Sequence, residues 1–212
     1  TMMPSPNTPA LRRVCILATD SVLASALMQA KDFFHMASLR YGKQMGIGLR
    51  PLFETRLVSP DGQPVNTFSE VVLPVDGALE DADVIVLPAY WDDFDALCQR
   101  YPQVIPWLRQ QHQRGAMLCG EASGVFWLAA AGLLDGREAT TYWRFFDEFK
   151  QRFPEVLLTQ DKHLTDADNV YCAGGTVSAC DLYIYLIEHF CGAHVAQAVS
   201  RVVGERMTPV ET

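Results

Sequence analysis

No stretch of this chain is apolar for long enough to span a bilayer, which excludes a helical membrane protein. None of its six cysteines sits in a C-x-x-C pair, and its five histidines show no ligand spacing with them, so structural zinc has no support. Most of the cysteines fall inside apolar runs, as buried, reduced thiols of a cytoplasmic protein do. Positive charge is in short supply: 17 Lys and Arg stand against 25 Asp and Glu, a net charge of −8. Such a surface does not grip a phosphate backbone, and any nucleic acid must be contacted by another part of the protein. No signal peptide precedes Leu11, so a cytoplasmic location is expected. Internal repeats, low-complexity tracts and interdomain linkers are also missing.

What the chain does have is 49% hydrophobic residues over 212 positions, enough for one well-buried domain. Arg13-Val14-Cys15-Ile16-Leu17-Ala18 and Asp83-Val84-Ile85-Val86-Leu87-Pro88 are continuous apolar runs, the mark of strands buried on both faces. A helix is expected over residues 21–40, with Leu23, Leu27, Phe34 and Met36 on its apolar stripe, and a second strand over 52–58. Ser59-Pro60-Asp61-Gly62 reads as a turn, after which Val65 resumes the extended chain. Further helices are expected over 101–113, with Pro106 as a point of division, and over 125–131, 142–152, 176–190 and 193–203. Short extended pieces are expected near Val156 and Val170. Repeated strand–helix alternation predicts an α/β fold, a flavodoxin-like parallel sheet with helices on both faces. Residues 1–10 read as a disordered, proline-rich tail, 11–205 as the domain and 206–212 as a linker stub.

Residues 115–129 read as a short apolar strand, a tight turn and a helix, with Ala122 at the turn. A side chain there projects above the sheet. Alanine has no lone pair and no acidic proton, so the turn can shape a pocket while Ala122 attacks nothing. Cys119, three residues earlier, belongs to the strand with its sulfur in the core; a catalytic role would need exposure and a stabilised thiolate. Ser123 is either a helix cap or a hydrogen-bonding group for a ligand. Glu121 either projects towards the pocket or is a solvated turn residue; in the pocket it would favour a cationic or hydroxyl-bearing ligand, and burial would raise its pKa. Tyr90, Trp91, Tyr142 and Trp143 either wall a small-molecule site or pack ordinarily near the strand ends. His189 and His194 read as structural or exposed.

Several segments together resemble one family: Asp61-Gly62-Gln63-Pro64-Val65, Ala82-Asp83-Val84-Ile85-Val86-Leu87-Pro88, Ser123-Gly124-Val125-Phe126-Trp127-Leu128-Ala129 with Ala131-Gly132-Leu133-Leu134-Asp135-Gly136, Ala139-Thr140-Thr141-Tyr142-Trp143, and Ala173-Gly174-Gly175 with Ser178-Ala179-Cys180-Asp181-Leu182. In order and spacing they resemble the ThiJ/PfpI (class I glutamine amidotransferase-like) domain, in the version found at the N-terminus of AraC-type transcription regulators of the GlxA kind. By this resemblance the family's cysteine nucleophile falls on Ala122, the histidine of its T-T-H-W segment on Tyr142, the acid after the first strand on Ala26, and a glycine pair on Ala89 and Tyr90. A covalent mechanism needs a nucleophile and a group that activates it, and the matched positions hold neither.

The resemblance therefore implies a non-catalytic ligand-sensing and dimerisation domain, with no catalytic residue, metal or cofactor. Its ligand-binding residues would be Glu121, Ala122, Ser123, Tyr90, Trp91 and Tyr142. The implied partners are an unknown small-molecule effector, a second copy of the chain, and DNA only through a helix-turn-helix domain absent from this chain. The alternatives are a free-standing enzyme of the superfamily, a small-molecule hydratase or amidohydrolase using Cys119 or Ser123, and a purely structural dimerisation module.

Overall fold

The computed structural model describes residues 10–46 and 52–204. The expected linker over 206–212 lies outside them, as does all but the last residue of the expected tail. The chain opens with β1 (Arg12–Leu17), α1 (Ala24–Met45) and β2 (Phe53–Val58), and a small hairpin of β3 (Val65–Asn66) and β4 (Val72–Leu73) follows. Next come β5 (Val84–Leu87), α2 (Phe94–Arg100), α3 (Val104–Gln113), β6 (Met117–Glu121) and α4 (Val125–Ala130). The last third holds β7 (Glu138–Ala139), α5 (Phe146–Arg152), β8 (Leu157–Leu158), β9 (Leu164–Ala167), β10 (Val170–Ala173), α6 (Thr176–Cys191) and α7 (Ala193–Val203).

Six strands form one sheet in the order β2-β1-β5-β6-β10-β9, parallel throughout except for β9, which runs against β10 at the edge. Alternate side chains of a strand point to opposite faces, and the two apolar layers sort accordingly. Val14, Ile16, Val84, Val86 and Cys119 face the layer under α1, α6 and α7. Cys15, Leu17, Ile85, Leu87 and Leu118 face the layer under α2 to α5. The expected parallel α/β sheet with helices on both faces is the observed one.

Three helices differ from expectation. The helix expected over 101–113 begins only at Val104, and Pro106 does not divide it. Pro106 sits in the first turn, where a missing N–H removes no intrahelical bond. The break lies earlier, at Tyr101-Pro102, and separates a helix that the hydrophobic pattern hides: α2, capped by the Asp93 carboxylate, which accepts from Ala96 N–H at 3.2 Å. The helix expected over 142–152 starts as a 3-10 turn, Trp143–Phe145, before α5. The helix expected over 21–40 is shifted to α1 and closes on Gly46 at φ 65°, a left-handed position that glycine adopts without a Cβ clash.

β1 lies between β2 and β5, so successive connections leave it in opposite directions and a crevice opens beyond the carboxyl ends of the central strands. The loops there are tied together. Leu23 N–H donates to Ala89 O at 2.9 Å, and Trp91 N–H donates to Ser21 O at 3.0 Å.

Candidate functional site

β6 ends at Glu121, and Ala122 turns the chain with φ 52° into the 3-10 turn Ala122–Gly124 and then α4. The left-handed region costs a non-glycine residue roughly 1–2 kcal/mol, so the surrounding structure must hold Ala122 there. Three contacts do so. Thr141 Oγ1–H donates to Ala122 O at 2.7 Å. Ser123 Oγ accepts from Tyr90 N–H at 2.8 Å and donates to Tyr90 O at 2.7 Å, hooking the turn onto the chain after β5. Gly124 lies against β5 so closely that a Cβ on it would stand 2.0 Å from Leu87 O.

The side chains sort into three places. Ala122 packs with Ala26 and Ala89, bordered by Leu23 and Tyr142, in a small apolar cluster over the turn. Glu121 points the other way, is 1% exposed, and accepts from the Tyr183 hydroxyl of α6 at 2.9 Å. Its second carboxylate oxygen has no partner among the described residues. Burial pushes the Glu121 carboxyl up to about 7, against the pull of the Tyr183 hydrogen bond. Neither alternative drawn from the sequence describes Glu121: it is no solvated turn residue, and it does not line the cavity described next.

That cavity, of about 490 Å³, opens between the chain after β5, the start of α4 and the first turns leading into α5. Tyr90, Trp91 and Ser123 line it; Ala122, Glu121 and Tyr142 do not. Phe94, Phe126 and Phe145 complete its apolar wall, and Asp92, Asp93 and Glu148 bring carboxylates to it. Of the four aromatics singled out in the sequence, Tyr142 and Trp143 stand outside the lining, Tyr142 reaching it through an edge contact with Phe145 at 5.5 Å. The pattern missed Phe94 and Asp93 because α2 itself was missed; Asp92-Asp93 followed by an apolar residue was the available helix-start signal.

Ser123 lines the cavity but does not cap the helix: its hydroxyl accepts from Tyr90 N–H and donates to Tyr90 O, which leaves one lone pair of Oγ unused by these two bonds. Cys119 is 1% exposed on the α1–α6 side, and burial pushes its thiol well up from its ordinary value, the opposite of an activated thiolate. His194 is exposed on α7, and the His189 ring meets Phe190 edge-on at 5.0 Å. Among the described residues no group of three His, Cys, Asp or Glu side chains could hold a metal ion, and no helix is long and apolar enough to cross a membrane.

The model of the DJ-1/PfpI family matches residues 12–189. The chain belongs to the DJ-1/PfpI family. Within it, the chain is 35% identical over 152 residues to the HTH-type transcriptional regulator CdhR of Pseudomonas aeruginosa, a match covering 70% of this chain and 44% of that protein. It is 28% identical over 97 residues to an isonitrile hydratase of Pseudomonas putida, covering 46% of this chain and 41% of the enzyme. The crystal structure of an AraC family transcriptional regulator from Pseudomonas putida superposes with a TM-score of 0.76 at 19% identity, over 91% of this chain and all of that one, and shares the fold. The chain spans about half the length of the HTH-type regulators it matches. DJ-1/PfpI relatives thus include both regulators and an enzyme, with the HTH-type regulators among the stronger matches.

Proposed function

We propose that this chain is the effector-sensing part of an AraC-type transcription regulator and performs no covalent chemistry at its strand–helix turn. The observation that carries the reading is the apolar filling of the turn. Ala122 occupies the buried, left-handed position at which the family resemblance sets a nucleophile, and its neighbours Ala26, Ala89, Leu23 and Tyr142 offer no base to activate one. Cys119 and Glu121 are turned into the core on the α6 side, and the Ser123 hydroxyl is bonded to the Tyr90 backbone. What remains above the strand ends is a cavity of small-molecule size with a few polar groups, the form of a binding site.

In this reading the regulator continues beyond the present chain into a helix-turn-helix domain, and DNA is contacted there. The sensing unit works as a homodimer in the cytoplasm. An effector in the cavity acts by binding one arrangement of domains or subunits better than another, since a ligand shifts an equilibrium only by its differential affinity. The relationship to an isonitrile hydratase favours a second reading, an enzyme with displaced catalytic groups.

The discriminating experiment is the intact mass of the polypeptide captured by antibody from its own cells. The regulator reading expects a protein substantially heavier than 23.6 kDa, carrying a helix-turn-helix sequence. A native product of 23.6 kDa would overturn it and favour the enzyme reading.

A further inference from the structure

We infer that a basic groove between α1 and α7, at the other end of the sheet, is a second site and takes a small, multiply charged oxyanion of the phosphate class. This goes beyond the sensing function proposed above and does not depend on it. α1 leaves the carboxyl end of β1 and runs back to the amino end of β2, its parallel neighbour. Its last turns therefore lie away from the cavity above the strand ends. There α1 packs beside α7, and the two helices leave a groove of about 400 Å³. Arg40, Lys43 and Gln44 line it from α1, and His194, Gln197 and Arg201 from α7. Spacings of three, four and seven residues put each set on one face of its helix. Among the described residues no aspartate or glutamate lines the groove.

What sets these cations apart is their want of partners. Carboxylates outnumber lysine and arginine in this chain, so a cation readily finds one. Arg13, Arg56, Arg137 and Arg152 stand in ion pairs, and Lys31 and Arg109 donate to backbone oxygens. Among the described residues, the only lysine and arginine side chains without an ion pair, hydrogen bond or ring contact are Arg40, Lys43, Lys150 and Arg201. Three of these four share the groove. Lys43 and Arg201, each in the last turn of its helix, suit the negative ends of the helix dipoles. That does not account for Arg40, a turn earlier, nor for its like-charge pairing with Lys43 at i, i+3, which destabilises a helix. A multivalent oxyanion relieves the repulsion, and guanidinium forks match phosphate oxygens in pairs. DNA is the poorer source of that phosphate, because a net charge of −8 repels a long polyanion. A small ion inside the groove answers chiefly to charges within a Debye length, about 8 Å at physiological salt.

Inorganic pyrophosphate, titrated calorimetrically into the purified chain at low ionic strength, tests the inference. It is expected to saturate one site and to bind at least about tenfold more tightly than sulfate, which carries less charge. Arg40→Gln and Arg201→Gln are each expected to weaken pyrophosphate by about fivefold to tenfold. Lys150→Gln, which removes the unpaired cation outside the groove, should leave the affinity unchanged. All three positions are exposed, so the melting temperature of the free protein should not move. No saturable binding, equal affinity for sulfate, or equal weakening by Lys150→Gln would overturn the assignment and leave a general attraction of anions only. A short fluorescent DNA duplex that binds the native chain and is lost in Arg40→Gln, without saturable pyrophosphate binding, would overturn it in favour of a contact with the DNA backbone.

Discussion

At the scale of single residues, the informative positions are two neighbours that point opposite ways. Ala122 is held in a left-handed conformation that an alanine side chain does not reward, so the turn keeps a demanding geometry without a reactive group to present. Glu121 is buried with one oxygen unpartnered, and its pKa makes a stability prediction with a definite sign. Its folded value, about 7, lies above the ordinary 4.5, so the folded state holds the proton more tightly. The resulting stabilisation is fully present below about pH 4.5, declines as pH rises, and is gone above about pH 7. Glu121→Gln removes that dependence, and urea denaturation of both proteins should show the variant gaining on the native protein across this window, by about 2–3 kcal/mol in all. A difference curve flat from pH 4 to 8 would contradict the assignment. The sequence made Ala122 legible because the surrounding strand, turn and helix each have a local pattern. It left Glu121 ambiguous, since a residue ending a strand can face either layer, and the register that decides this comes from pairing β6 with β5 and β10.

At the scale of elements, the site is a joint between the turn after β6 and the chain after β5. Two residues make it. Ser123→Ala strands both the N–H and the carbonyl of Tyr90 in a buried setting, where an unmet polar group costs about 1–3 kcal/mol; chemical denaturation should register about 2 kcal/mol. The same substitution should weaken any ligand of the cavity, because Tyr90 is one of its walls. Gly124→Ala brings a methyl group to 2.0 Å from Leu87 O, a backbone atom of a central strand that cannot step aside. The expected loss is about 3 kcal/mol, with a matching fall in melting temperature, and a melting temperature like that of the native protein would show that the turn is not seated on β5. Most helices and strands were legible from periodicity and apolar runs. The missed element, α2, is seven residues long with only Phe94 and Leu97 buried, too few apolar positions to establish a helical period. Phe94, one of the five aromatic residues lining the cavity, was lost with it. Pro106 misled for a related reason: a proline breaks a helix only if its position has a hydrogen bond to lose.

At the scale of the whole molecule, the order of strands in space also has a meaning in time. β1 and β2 are neighbours; β5 joins the free side of β1, β6 joins β5, and β10 joins β6, with β9 closing the antiparallel edge. A chain emerging from the ribosome therefore adds β2 on one side of β1, and from β5 onward extends its sheet only on the other side. The waits are long. Between Leu17 and Val84, and again between Glu121 and Val170, a parallel edge of almost wholly apolar strand stays open while the ribosome adds residues at about 5–20 per second. Such an edge is a template for the wrong partner. A polypeptide stopped after residue 156 keeps β6 as its open edge and lacks α6 and α7 over one face of the sheet. It should accumulate as insoluble protein when expressed, and a soluble fragment with cooperative unfolding would contradict this. The short strand β9 is the edge that the finished sheet keeps on this side: four residues long and carrying the exposed Asp166, it offers a further strand little length to pair with and a charge against it.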